Sequence, residues 1–164
     1  MAGMPGSGKS TLARAISEAT GAIVLDKDVI KSAALNSGAE EALAAPLAYE
    51  VLFDLAADLA RSGHSLVLDS PAFFASIPGK GSGIAAETGA FYRIIECVAP
   101  EAVLAKRLSA RQPMPSQWGA LLPIDPYGRP GTAPLSQPRL EVDTTLPVSD
   151  CLARSLAYLR DGQG

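Results

Sequence analysis

Residues 3–11 of the chain, with the sequence GMPGSGKST, fit the pattern G-x-x-x-x-G-K-[ST] without a mismatch. Glycines in this pattern let the backbone curve so that several N–H groups point at phosphate oxygens. In such a loop Lys9 supplies a positive charge to the β- and γ-phosphates, and the Ser10 hydroxyl is a ligand of Mg²⁺. A segment with helical spacing follows directly, and the N-terminal end of a helix favours an anion. The stretch therefore predicts a phosphate-binding loop (P-loop) with ATP and Mg²⁺ as its ligands.

The nucleotide contacts expected from this loop involve seven consecutive residues. They are Pro5, Gly6, Ser7, Gly8, Lys9, Ser10 and Thr11. A glycine-rich turn with an incidental lysine is the alternative interpretation. The complete motif and the helical pattern directly after it favour the phosphate-binding loop.

The composition describes a folded protein with no obvious nucleic-acid surface. Of the 164 residues, 48% are hydrophobic and 19% are charged, which is typical of one folded domain and not of a disordered chain. The net charge of −3 argues against a broad basic surface. Cys97 and Cys151 lie in apolar stretches without metal-ligand spacing, so we expect reduced thiols of a cytoplasmic protein. No apolar run approaches 18 residues, and we expect no membrane span.

Strand and helix patterns alternate along the chain. The apolar runs that predict strands are 22–25, 65–69, 91–98 and 139–143. The segments with helical spacing are 8–19, 29–35, 43–61, 83–88, 100–111 and 148–159. This alternation predicts a single α/β domain over residues 1–164, with a parallel sheet covered by helices on both faces in three layers.

The strand that normally leads into a P-loop is short or absent in this sequence. Met1 and Ala2 are the residues printed before Gly3. Burying four or five side chains of a central strand contributes about 1.5–3 kcal/mol each, a sum comparable with the whole stability of a domain, about 5–15 kcal/mol. Either the first strand is truncated or another segment fills its place. We expect truncation.

Aspartates follow two of the predicted strands, at the sheet edge where ligands bind in such folds. Asp69 is expected to hold Mg²⁺ together with Ser10, and a cap on the following loop is the alternative. Asp28 lies just beyond a strand, where a carboxylate would orient the hydroxyl of a phosphate acceptor, and we predict that it is catalytic. Asp26 is the weaker candidate. The alternative for Asp28 is that it merely caps the helix that it begins.

Other side chains are expected to bind the acceptor. Lys31 lies on the same helical face as Asp28 and would bind an anion on the acceptor, or else is solvated. Phe73 lies in the loop after the second strand pattern and is expected to contact the acceptor. These positions describe a small-molecule site, but no motif among them names the acceptor.

Arginines at the start of a proline-rich stretch are the expected catalytic cations. Arg107 and Arg111 are four residues apart on one helical face and would close onto the phosphates, as part of a lid at about 107–138. Ordinary solvated arginines are the alternative. Arg129 is a weaker lid candidate. His64, the single histidine, is expected to lie at the surface.

Together these segments resemble the small P-loop kinases of the AAA_33-like group of ATP-binding proteins. Relatives of this group are the kinase domain of phage polynucleotide 5′-hydroxyl kinase, zeta toxin and chloramphenicol phosphotransferase. The resemblance spans nearly the whole chain and rests on residues 3–11, Asp28-x-x-Lys31, Asp69-Ser70-Pro71, the strand at 93–97, Arg107 with Arg111, and 142–144. It implies a kinase-like P-loop NTPase fold, with Asp28 as the catalytic carboxylate and Asp143 near the adenine.

Three functions are compatible with this resemblance. The favoured one is a kinase that transfers the γ-phosphate of ATP to a hydroxyl of a small molecule. The second is a polynucleotide 5′-hydroxyl kinase or a zeta-toxin-like nucleotide-sugar kinase, and the third is an ATP-binding regulatory module with little turnover. Lys31 stands where polynucleotide kinase has an arginine, and a lysine does not bind phosphate in a bidentate way. A nucleic-acid acceptor is therefore not favoured.

Overall fold

Residues 1–71, 76–117 and 135–161 are described by the computed structural model of the chain. The strands within them are β1 (Ile23–Asp26), β2 (Leu66–Asp69), β3 (Ile94–Val98) and β4 (Arg139–Asp143). The helices are α1 (Lys9–Thr20), α2 (Lys27–Asn36), α3 (Glu41–Arg61), α4 (Ser76–Thr88), α5 (Glu101–Ala110) and α6 (Val148–Arg160). In the described residues no helix is both long enough and apolar enough to span a membrane.

The strands form two parallel pairs, β1 with β2 and β3 with β4. The first residues of the chain run between the pairs. The Met1 nitrogen donates to the Leu68 carbonyl at 2.7 Å. On the other side, the Ala2 N–H donates to the Ile95 carbonyl at 2.8 Å, and the Cys97 N–H donates to the Ala2 carbonyl at 2.9 Å. The order across the sheet is therefore β1, β2, the chain start, β3 and β4.

The start of the chain pairs with β3 through a single bridge. Ala2 pairs in parallel with Glu96, and it is 1% exposed. One residue pair thus stands at the position of the central strand, held by main-chain hydrogen bonds and by burial of the Ala2 side chain in an apolar cluster with Ile94. The P-loop begins directly after this pair, at the carboxyl end of the sheet.

Helices cover both faces of the sheet, which confirms the predicted three-layer α/β fold. Successive side chains of a strand point to opposite faces, and Ile95 and Ile94 of β3 accordingly belong to two different apolar clusters. The first cluster, beneath α1 and α6, consists of Leu12, Ile16, Ile95, Cys97, Val142 and Cys151. The second, beneath α3 and α4, consists of Ala2, Phe53, Ile77 and Ile94.

Both cysteines are buried and free, as expected of core thiols. Burial raises the pKa of the Cys97 thiol to about 11. The thiolate is the reactive form of cysteine. Cys97 is therefore an inert core residue at neutral pH.

Two element boundaries differ from the sequence-based prediction by three residues or more. Helix α4 begins at Ser76, within a stretch that its glycines and proline predicted to be a loop. Pro78 lies in its first turn, where a missing N–H is tolerated, and a Cβ on Gly81 would lie 2.7 Å from the ring of Tyr92. Close packing therefore explains that glycine. Strand β3 begins only at Ile94, three residues later than predicted.

We expect Gly3→Ala to destabilise the protein strongly. Gly3 has φ +126°, and a Cβ there would lie 2.3 Å from the carbonyl oxygen of Cys97. Backbone strain of about 1–3 kcal/mol and overpacking of about 1–3 kcal/mol act together at this position. The measurement is the free energy of unfolding from urea titration.

Gly63→Ala is the matched control for this variant. Gly63 also has a positive φ, +83°, but within the described residues no atom lies within 4 Å of the position that a Cβ would occupy there. It should lose about 1–2 kcal/mol from the left-handed conformation alone. Equal losses in the two variants would contradict the role assigned to the Gly3 contact.

Candidate functional site

The P-loop is held in shape by glycines that other elements approach closely. Gly6 has φ +80°, and a Cβ there would lie 3.0 Å from the Leu104 carbonyl oxygen and 3.1 Å from Cγ of Leu108. Gly8 has φ +85°, and a Cβ there would lie 3.6 Å from Cβ of Thr144. The loop therefore rests on α5 on one side and on the residue after β4 on the other.

Lys9 lies among the charged groups that the sequence predicted to share one site. Its Nζ donates to the carbonyl oxygens of Gly3 at 2.9 Å and Met4 at 3.0 Å. Burial lowers the pKa of Lys9, while the negative charges of Asp69 and Asp28 oppose this shift. The P-loop ammonium and both carboxylates are thus electrostatic neighbours.

Asp69 has the surroundings of a metal-binding carboxylate. It ends β2 and is 4% exposed, and its Oδ2 is buried without a hydrogen-bond partner among the described residues. In that part of the chain no group of three or more histidine, cysteine, aspartate or glutamate side chains would hold a metal. Mg²⁺ is usually held by one or two protein oxygens together with waters and phosphates. Ser10, in the first turn of α1, and Asp69 therefore fit a Mg²⁺–nucleotide site.

Asp26, and not Asp28, caps helix α2. Oδ1 of Asp26 accepts the N–H of Asp28 at 2.8 Å. Burial raises the pKa of Asp26, and the charge of Asp69, its partner across the β1–β2 pair, raises it further. The side chain of Asp28 is free of the capping role that was its alternative, and it remains 26% exposed.

Residues after α5 reach back to Asp28. Nε2 of Gln117 donates to Oδ2 of Asp28 at 3.3 Å. Oγ of Ser116 donates to the Asp28 carbonyl at 3.0 Å, and its N–H donates to Oγ of Ser32 at 3.2 Å. Sequence reasoning did not name Ser116 or Gln117. The only feature of the sequence that pointed to these two residues was their position in the proline-rich stretch at about 107–138, which was predicted to be a lid.

Lys27 and Lys31 of α2 are buried lysines that form ion pairs with more exposed carboxylates. Nζ of Lys31 contacts the carboxylate of Glu41 at the start of α3, so the expected anion-binding lysine already faces an acidic side chain. Nζ of Lys27 lies 2.5 Å from Oδ1 of Asp28 and 5.9 Å from the ring centroid of Tyr49. Burial raises the pKa of Tyr49, and the charge of Asp28 adds to the shift. Lys27 and Tyr49 are further neighbours of Asp28 that the sequence motifs did not indicate.

Arg107 joins the P-loop to the residue that follows β4. Its Nη1 donates to Oγ1 of Thr144 at 3.0 Å and to the Gly6 carbonyl at 3.4 Å, and its Nη2 donates to the Thr144 carbonyl at 2.5 Å. In this structure it therefore braces the loop against the end of β4. Arg111, at the end of α5, lies close enough to Lys9 for its charge to lower the pKa of that lysine. Closure of either arginine onto phosphates stays a prediction.

Asp143 takes part in a local turn at the end of β4. Its Oδ1 accepts the N–H of Thr145 at 2.9 Å and the hydroxyl of Thr145 at 2.7 Å, and these bonds lower the pKa of Asp143. The next residue, Thr144, contacts both Arg107 and the P-loop. At this end of the P-loop the structure thus brings in Thr144 more directly than Asp143.

The remaining candidates from the sequence are Phe73, Arg129 and His64. Phe73 and Arg129 lie outside the described residues, as does the larger part of the proposed lid. His64 is exposed in the turn after α3, which agrees with its interpretation as a surface residue.

The chain is similar to a family and to several solved structures. A family model described as AAA_33, AAA domain, matches residues 1–118. A protein from Chloroflexus aurantiacus J-10-fl, proposed to be a kinase, has a TM-score of 0.72 at 23% identity, covering 99% of this chain and 94% of that one. The APS kinase of Mycobacterium tuberculosis, solved with AMPPNP and APS, has a TM-score of 0.71 at 20% identity, covering 97% and 94%.

A gluconokinase from Sinorhizobium meliloti 1021 is more distant in shape. Its TM-score is 0.58 at 21% identity, covering 98% of this chain and 89% of that one. No curated protein matches the sequence significantly. The structural likenesses establish a kinase-like P-loop fold, as the sequence predicted.

We expect Asp26→Asn to change how stability depends on pH. Asparagine keeps a capping oxygen at the start of α2 but removes a carboxyl group whose pKa is raised in the folded chain. Such a group loses its proton in the unfolded chain first, so wild-type stability falls as the pH rises from the ordinary value of 3.8 through the folded pKa. Across this range the free energy of unfolding of the variant should therefore rise relative to that of wild type. The measurement is urea titration at successive pH values.

Asp54→Asn controls for the general effect of removing one negative charge. Asp54 is an exposed residue of α3. The free energy of unfolding of Asp54→Asn, plotted against pH, should run nearly parallel to that of wild type. If the free energy of unfolding of Asp26→Asn does not rise relative to that of wild type as the pH increases, the electrostatic account of the strand ends is wrong.

Proposed function

Because the chain belongs to the AAA_33 family of AAA domains, we propose that it is an ATP-dependent phosphotransferase. It transfers the γ-phosphate of ATP to a hydroxyl group of a small molecule. The family membership was implied by the sequence resemblance, and the kinase-like P-loop fold is compatible with this reaction. The fold alone does not decide the chemistry, so the proposal rests on the site.

The observation that carries the proposal is the meeting of three charged groups at one end of the sheet. The P-loop ammonium of Lys9 is influenced by the carboxylates of Asp69 and Asp28, which come from different strand ends. Phosphoryl transfer needs a phosphate cradle, a metal site and a group that orients the acceptor, held in a fixed relation. In this proposal Lys9 belongs to the phosphate cradle, Asp69 belongs to the metal site, and Asp28 is the group that orients the acceptor.

Each group has a proposed role. The nucleotide phosphates bind to the backbone N–H groups of the P-loop and to Lys9. Ser10 and Asp69 would hold Mg²⁺, which would offset the negative charge of the phosphates. Asp28 accepts a hydrogen bond from the acceptor hydroxyl and takes its proton as the new oxygen–phosphorus bond forms. The bond between the γ-phosphorus and the bridging oxygen of ATP breaks, and ADP leaves with that oxygen. Arg111 stabilises the negative charge that develops on the transferred group.

The acceptor is proposed to be a small molecule. The similar structures are described as an APS kinase, a sugar kinase and a gluconokinase, and these names favour small acceptors over polynucleotides. The net charge of −3 also disfavours an extended nucleic-acid backbone. Lys31, buried beside Asp28 on α2, is the proposed contact for a negatively charged acceptor, which would compete with Glu41 for it.

We expect Lys9→Met to abolish stabilisation by nucleotide. MgATP at one hundred times its Kd should raise the stability of wild type by about 2.7 kcal/mol, and the variant lacks the charge that binds the phosphates. Its melting temperature without nucleotide should change little, because burial already disfavours the Lys9 charge. Lys106→Met, at an exposed position of α5, should keep the full shift. Thermal unfolding with and without MgATP measures both, and an undiminished shift in Lys9→Met would contradict the nucleotide site.

We expect Asp28→Asn to abolish transfer while leaving MgATP affinity unchanged. Loss of a general base lowers the rate about 100- to 10,000-fold, whereas Asp28 does not bind the nucleotide. The measurement is transfer of label from γ-³²P-labelled ATP to a panel of hydroxylated metabolites, antibiotics and oligonucleotides, with calorimetry for ATP affinity. Asp54→Asn is the control.

The panel also separates the alternative functions. Label transferred to oligonucleotides alone would identify a polynucleotide kinase. A protein that binds MgATP but labels nothing in the panel would be an ATP-binding regulatory module, and the phosphotransferase proposal would fail. Full transfer by Asp28→Asn would remove Asp28 from the mechanism.

A further inference from the structure

The residues between the end of α5 and Gln117 connect the two ends of the proposed reaction site. Residues 111–117, here called the bridging segment, leave α5 at Arg111 with an extended backbone, φ −94° and ψ 152°. Arg111 is an electrostatic neighbour of Lys9 in the P-loop. Gln117, at the other end, contacts Asp28. One short segment therefore reaches from the phosphate side of the site to the acceptor side.

The bridging segment is attached to α2 through Ser116. This residue is 8% exposed. Its hydroxyl donates to the carbonyl of Asp28 and its N–H donates to the hydroxyl of Ser32. A buried residue with two such bonds fixes where the following side chain begins. Gln117 is therefore presented to Asp28 from an anchored backbone.

The side-chain amide of Gln117 is itself oriented. Its Oε1 accepts the N–H of Met114 at 3.3 Å, and the Gln117 N–H donates to the Met114 carbonyl at 2.8 Å, closing a small turn. With the oxygen committed to Met114, the NH₂ group is the end that faces Asp28. An amide has distinct donor and acceptor ends, so this turn determines that Gln117 donates to the carboxylate.

The carboxylate of Asp28 is thus held on both oxygens by two different elements. Lys27 of α2 contacts Oδ1, and Gln117 of the bridging segment contacts Oδ2. Each carboxylate oxygen accepts more than one hydrogen bond, and the side chain is 26% exposed, so room remains for an acceptor hydroxyl. Without the second contact, Lys27 alone restrains the carboxylate plane, and the torsion that sets this plane is intrinsically broad.

From these contacts we propose that Gln117 is a positioning residue, which orients the Asp28 carboxylate toward the acceptor hydroxyl. The inference rests on the proposed function, since it concerns the same carboxylate. Gln117 acts through Asp28 and needs no contact with the nucleotide. Its removal therefore affects turnover and not the binding of MgATP.

The test uses water as the acceptor, with phosphate release from MgATP as the assay. Gln117→Met keeps the length of the side chain but has no N–H donor. We expect kcat to fall about 10- to 100-fold, the loss that misplacement of a reacting group produces, with KM for MgATP unchanged. Gln117→Glu, which sets a second carboxylate against Asp28, should lose more. Gln112→Met, an exposed glutamine of the same segment, should behave as wild type.

A double mutant separates positioning from a general structural effect. In an Asp28→Asn background, Gln117→Met should cause no further loss, because the group that it orients is already inactive. A further loss of similar size, or a parallel rise in KM, would overturn the proposal. So would full activity of Gln117→Met when Asp28→Asn is inactive, an outcome that leaves the proposed function standing. Full activity of Asp28→Asn would overturn both.

A spectroscopic measurement tests the contact without relying on turnover. The side-chain NH₂ signal of Gln117 in a ¹⁵N–¹H spectrum is identified by its disappearance in Gln117→Met. It should shift in Asp28→Asn, which loses a charged acceptor, and stay in place in Asp54→Asn. An unmoved signal in Asp28→Asn would overturn the proposed contact.

Discussion

The close approach of Gly3 to the carbonyl of Cys97 is the constraint on which the rest of the site depends. Main-chain bonds of Ala2 hold the chain start against β3, and only a residue without a Cβ fits at the next position. The P-loop therefore leaves the sheet at a defined point and direction. Close packing continues at Gly6, where a Cβ would lie 3.0 Å from the Leu104 carbonyl oxygen of α5.

Charge at the strand ends opposes stability, and this is typical of a site built to receive a charged ligand. The pKa of Asp26 is raised by burial and by the neighbouring Asp69, and burial lowers the pKa of Lys9. Oδ2 of Asp69 is buried without a partner in the described residues. A nucleotide with its metal would satisfy these groups, so its binding would stabilise the folded chain.

Much of the fold and part of the site were predictable from the sequence, because the relevant signals are local. The P-loop pattern and the strand-end positions of Asp28 and Asp69 follow from spacing alone. The contacts of Gln117 and Ser116 with α2 were not predictable, since they join residues almost ninety positions apart in a stretch without periodicity. The start of α4 was missed because the glycine at Gly81 reflects packing against Tyr92, a tertiary contact.

The sheet consists of two halves, which the single bridge at Ala2 joins. One half, β1 and β2, carries Asp28 and Asp69, whereas the other half, β3 and β4, leads into α5 and Thr144 beneath the nucleotide loop. The main-chain hydrogen bonds of Met1 and Ala2 join the halves directly before the P-loop. The bridging segment also joins the halves, because it runs from α5, which follows β3, to α2, which follows β1.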